Sequence, residues 1–114
     1  MLTNNKDDIG RINTRRNELI GLISNAIRKD GAVKPINDLY FFRASSPGEA
    51  LHSVYKPSLC IVVQGSKEFF LNEERYVYDP ENYLIVTAEL PLVGQVLHAT
   101  REEPYLSLLL NLDP

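Results

Sequence analysis

The stretch Tyr105-Leu106-Ser107-Leu108-Leu109-Leu110-Asn111-Leu112 alternates with a period of two. Leu106, Leu108, Leu110 and Leu112 fall on one face, and Tyr105, Ser107, Leu109 and Asn111 on the other, as in a β-strand. Upstream, Leu59-Cys60-Ile61-Val62-Val63 is apolar on both faces, which predicts a central strand covered from both sides. Residues 68–71 and 75–78 predict a hairpin over Asn72-Glu73-Glu74. Further runs rich in β-branched and aromatic residues span 36–43, 50–55, 83–88 and 92–99. Turn signals such as Ser45-Ser46-Pro47-Gly48, Gln64-Gly65-Ser66 and Asp79-Pro80-Glu81-Asn82 separate them. Eight short strands at this spacing predict a mainly β fold, a small antiparallel barrel or sandwich. No connection is long enough for a crossover helix, so parallel βαβ units are excluded.

Residues 1–34 follow a different period. Ile9, Ile12, Arg16, Leu19, Ile20, Ile23, Ala26 and Ile27 recur at three- and four-residue steps, which predicts an amphipathic N-terminal helix. Asn4 or Asn5 suits its cap, Asp7 and Asp8 its first turn, Arg28 and Lys29 its last turn, and Gly31 its stop. The apolar stripe is equally suited to packing on its own sheet and to a homodimer contact. Charge divides at the same place: residues 1–34 hold seven bases against four acids, and residues 35–114 five against eleven. We therefore expect a helix and linker over 1–34 and a β-barrel over 35–114.

Composition narrows the function. The 114 residues carry a net charge of −3, which disfavours autonomous nucleic-acid binding. No run of 18 apolar residues is present to span a membrane, and the acidic N-terminus lacks a signal-peptide core, so a cytoplasmic location is expected. The single cysteine, Cys60, excludes an intrachain disulfide framework; placed in the most apolar run, it reads as a small hydrophobe with a raised thiol pKa. His52 and His98 lie on separate runs, and neither belongs to the His-x-His pattern of a metal-binding barrel. No phosphate-cradling loop and no nucleophile elbow occurs. The carboxylates gather in turns, so no catalytic residue, cofactor or metal is expected. What remains is a barrel with polar groups set among apolar walls, the usual make-up of a small-ligand pocket. The candidate ligand residues are His98, Gln95, Gln64, Tyr76 and Tyr40. His98 and Gln95 have opposite parity on one strand, so they share a face only if a bulge intervenes.

Tyr55-Lys-Pro-Ser-Leu-Cys-Ile-Val-Val-Gln-Gly-Ser-Lys67 resembles a signature of the N-terminal domain of AraC-type transcriptional regulators. Tyr78-Asp79, Tyr83-Leu-Ile-Val86, Leu90-Pro-Leu-Val-Gly-Gln-Val96 and the closing Pro104-to-Pro114 segment resemble the same family, in unbroken order over residues 35–114. The resemblance implies a cupin-like double-stranded β-helix. It implies an effector-sensing or dimerisation domain that binds a small molecule, and a partnership with DNA only through a C-terminal helix-turn-helix region that this chain does not include. The chain is expected to be a piece of such a protein or a naturally short product. The competing expectation is a small cupin-type metal-dependent enzyme using His52 and His98. The family pattern itself carries no ligand residue over to this chain.

Overall fold

A computed structural model describes residues 16–48 and 51–112. Helix α1 (Arg16–Ala26) is followed by nine strands: β1 (Gly31–Ile36), β2 (Leu39–Ala44), β3 (Leu51–Tyr55), β4 (Ser58–Gln64), β5 (Ser66–Leu71), β6 (Glu74–Tyr78), β7 (Leu84–Val86), β8 (Leu90–His98) and β9 (Tyr105–Asn111). The strands form two antiparallel sheets, ordered β1-β2-β9-β4-β7 and β3-β8-β5-β6. The mainly β expectation holds, with one helix among the described residues, at the N-terminal side.

Where the sequence predicts one strand over 36–43, the chain makes a hairpin. Ile36 pairs with Leu39 across Asn37-Asp38, and Asp38 adopts a left-handed φ of 69°, which aspartate tolerates. β1 begins at Gly31, within the span read as linker. Gly31 has φ 131° and opens this strand, while the helix ends at Ala26, so it does not act as the expected helix stop. Pro35 is accommodated because β1 is an edge strand with an irregular register between Val33 and Ile36. The hairpin of β5 and β6 forms as expected: Leu71 pairs with Glu74, and Asn72 takes the left-handed position.

β4 lies between β9 and β7, as its two apolar faces require. On one face of this sheet, Ile23 and Ile27 of the helix segment bury against Phe41, Val63 and Leu106, with Leu19, Ile20, Ile61 and Leu108 around them. Arg16, on the same helical stripe, donates from Nε to the Val63 carbonyl at 2.8 Å. Val63 is the extra residue in a β-bulge, where Val62 pairs with Ser107 and Gln64 with Leu106. The arginine thus satisfies a carbonyl beside a break in the ladder. The expected Asn4, Asn5, Asp7, Asp8, Ile9 and Ile12 lie outside the described residues.

The other face of the sheet looks into the space between the sheets. Cys60, Val62, Phe69, Tyr78, Leu84, Val86, Leu92 and Tyr105 form this second core. The chain crosses from one sheet to the other at Gly65, whose φ is 82°. A Cβ there would collide with the His98 carbonyl oxygen, so both the conformation and the space call for glycine.

Candidate functional site

Alternation in β5 places Lys67, Phe69 and Leu71 on the inward face. Opposite them, β8 presents Gly94 to Phe69 and Val96 to Lys67. Gly94 permits close packing, since a Cβ there would stand 2.8 Å from two atoms of the Phe69 ring. Tyr55 closes the end of β3 and meets Phe69 edge-on, with centroids 5.2 Å apart; Tyr78 stacks on the other side at 5.0 Å. Tyr55, Lys67, Phe69, Gly94 and Val96 border a cavity of about 440 Å³, completed by Ala44 of β2 and by Leu51 and Ser53 of β3. A second space of about 40 Å³ lies deeper, walled by Cys60, Tyr78, Tyr105 and Ser107. Tyr55 and Lys67 line both.

The interior is apolar in volume and polar in detail. Lys67 Nζ donates to the Tyr55 hydroxyl at 3.3 Å and lies 5.0 Å from the Phe69 ring centroid. Burial pushes the Lys67 ammonium below its ordinary pKa, and Cys60 opposes this. Burial raises the Cys60 thiol to about 11, although the Ser58 hydroxyl, 3.8 Å away, favours the thiolate. Tyr105 is raised to about 12 by burial, and Tyr55 and Tyr78 are also raised, for the same reason. The chamber therefore sets a lysine whose charged form burial disfavours among phenols and a thiol that burial keeps protonated.

The five expected ligand residues are placed differently from one another. Gln95 borders the 440 Å³ cavity, but its amide donates to Glu68 Oε2 at 2.5 Å. A bulge does occur in β8: Ser66 pairs with His98 and Lys67 with Val96, so Leu97 is the extra residue. It puts His98 and Gln95 on one face, the face opposite Phe69, where they meet Ser66 and Glu68. His98 Nδ1 lies 2.5 Å from the Ser66 hydroxyl. Arg75 Nε is 2.5 Å from Glu68 Oε1; the Arg75 and Gln95 hydrogen bonds hold the Glu68 carboxyl below its ordinary pKa. Gln64 donates to the Pro104 carbonyl at 2.8 Å and anchors the loop before β9. Tyr76 donates to Glu74 at 2.6 Å, and Tyr40 stacks on Phe42 at 6.4 Å. Lys67 was missed because a lysine near a turn reads as a solvated charge. The available signal is its step of two from Phe69, which turns both to the same side.

His52 stands opposite Val93, whereas His98 stands opposite Ser66. At roughly 3.3 Å per residue along β8, the two histidines are on the order of 15 Å apart. Among the described residues, no three His, Cys, Asp or Glu side chains gather as a metal site would require. No described helix is long and apolar enough to cross a membrane.

Two antiparallel sheets closed over such an interior define a cupin-type barrel. The architecture is shared with a cupin superfamily protein from Desulfitobacterium hafniense, at TM-score 0.58 and 15% identity over 79% of this chain and 85% of that one. A cupin-2 domain containing protein from Shewanella frigidimarina is more distant, at TM-score 0.47 and 10% identity over 82% and 88% of the two chains. Residues 35–114 match the family model of the AraC-type transcriptional regulator N-terminus, and the chain belongs to that family. A comparison with curated proteins returns no match. Family and fold together describe a regulatory domain.

Proposed function

We propose that this domain senses a small-molecule effector, and that the effector occupies the cavity between β3, β5 and β8. The observation that carries the reading is the 440 Å³ space lined by Tyr55, Lys67, Phe69 and Val96, which combines apolar walls with convergent polar groups. An effector acts on a regulator only by binding two of its states differently. The cavity suits this role because Ala44 comes from one sheet and the other described strand residues lining it from the second. A ligand held there bears on how the sheets sit against each other. The output would be DNA binding by a C-terminal module outside this chain, in the cytoplasm. We also propose that any homodimer uses a surface other than the apolar stripe of α1. Leu19, Ile20, Ile23 and Ile27 are consumed by their own sheet, while Leu22 on the helix is exposed.

A thermal-shift screen of small polar compounds against this chain and Val96→Trp tests the reading. Compounds that raise Tm in the parent and lose their effect in the filled variant are expected. Hits that stabilise both proteins alike would sink it.

A further inference from the structure

We infer that the molecule taken by this cavity is a small monocarboxylate, with Lys67 as its counter-charge and an apolar body lying against Phe69 and Val96. This rests on the sensing reading above and adds the chemical class of the effector.

The case starts from how the chain treats its other cations. Arg75 has the Glu68 carboxylate at 2.5 Å, and Arg43 has Asp30 at 3.6 Å. Arg16 is spent on the Val63 carbonyl. Lys29, Lys34, Lys56 and Arg101 are exposed and solvated. Lys67 alone among the described lysines points between the sheets, and no described carboxylate comes within 4.0 Å of its Nζ. Its contacts are the neutral Tyr55 hydroxyl and the face of Phe69. The barrel sequence has a surplus of acids, yet the buried one among the described residues, Glu68, sits on the opposite face of β5 and is paired there. A half-buried lysine with no described carboxylate beside its amine is an unfavourable arrangement for the charged form, and an incoming anion relieves it.

The surrounding chemistry narrows the anion. The single positive charge matches one negative charge better than the two of a phosphate monoester. Tyr55 stays protonated at neutral pH, so it can donate its O–H while Lys67 donates N–H. Two adjacent donors suit the two oxygens of one carboxylate. Space sets the depth. The inner chamber of about 40 Å³ is near the size of one water, so the ligand lies in the outer cavity of about 440 Å³. The remaining outer wall includes Ala44, Leu51 and Val96, which favours an apolar body.

Benzoate and benzamide, matched in size and different in charge, are the probes. Binding to the full 114-residue chain would be followed by calorimetry and thermal shift at low ionic strength. Benzoate is expected to bind saturably, and benzamide roughly tenfold or more weakly. Lys67→Met should bring benzoate down to the benzamide level, while Tyr55→Phe should weaken benzoate several-fold and leave benzamide unchanged. The second variant keeps the test decisive should the first fail to fold. Equal binding of both probes, or benzoate binding indifferent to Lys67, overturns the anionic class while leaving the sensing cavity standing. Failure of both probes to bind also overturns it. The Val96→Trp screen, which assumes nothing about ligand charge, then decides the sensing reading separately.

Discussion

The two faces of the β2-β9-β4 sheet are built from the same strands and have opposite characters. Outward, Phe41, Val63, Leu106 and Leu108 pack beneath Ile23 and Ile27 as a dry helix-on-sheet layer. Inward, Cys60, Tyr105 and Ser107 face a space that keeps hydroxyls, a thiol and a lysine amine together. The face richest in leucine is thus on the outside of the barrel. The helix makes this workable by covering it, which frees the interior to carry polar groups.

The largest test of this contrast is at neighbouring residues of β9. Leu106→Ala should cost about 2–5 kcal/mol in a denaturant melt, because Leu106 is buried under the helix. Ser107→Ala, facing the other way, should change stability by about 1 kcal/mol or less. Equal effects would erase the distinction. Next, Gly94→Ala should cost about 1–3 kcal/mol, since its new methyl meets the Phe69 ring and the inward face must repack. Arg16→Ala should cost about 1 kcal/mol by leaving the Val63 carbonyl to water, a loss on the helix side that should not alter ligand binding.

Lys67→Met acts in the opposite direction on the inward face. Its folded pKa lies below that of the unfolded chain, so the charged lysine disfavours folding, and this penalty fades as pH rises through the folded value. The variant should melt higher than the parent at pH 7, with the gap closing in alkali; a lower Tm would show that Lys67 has a compensating partner. The smallest effect concerns Cys60. Its pKa is raised, so its contribution is fully present below the ordinary 9.0 and is lost as pH rises from there toward about 11. Cys60→Ala should flatten that part of the stability curve. Asp30, lowered by the Ser45 hydrogen bonds, and Glu68, lowered chiefly by the Arg75 hydrogen bond, act at the other end, and their contributions disappear as pH falls through the carboxylate range. Urea melts across pH would show both limbs.

Much of this architecture is legible in local pattern. The doubly apolar run 59–63 had to be a covered strand, and it lies between β9 and β7. The Asn72 turn had to make a hairpin. The stripe from Arg16 to Ile27 had to lie on an apolar surface. β1 was hidden because Pro35 and Lys34 weaken its strand signal, and the Asn37-Asp38 turn is buried in a run of apolar residues. Only its pairing with β2 reveals it. The candidate site was harder to read, since Gln95 and His98 look inward by composition while their hydrogen bonds hold them to Glu68 and Ser66 on the other face.

By itself the sequence determined the periods, the turns and the family, because these depend on residues close in the chain. Tertiary structure decided which side of each strand became the interior. Alternation divides residues into two faces but carries no sign. The helix supplies the sign, by burying Leu106 and packing on Leu108 of β9 and leaving Lys67, Tyr55 and Cys60 to line the space within.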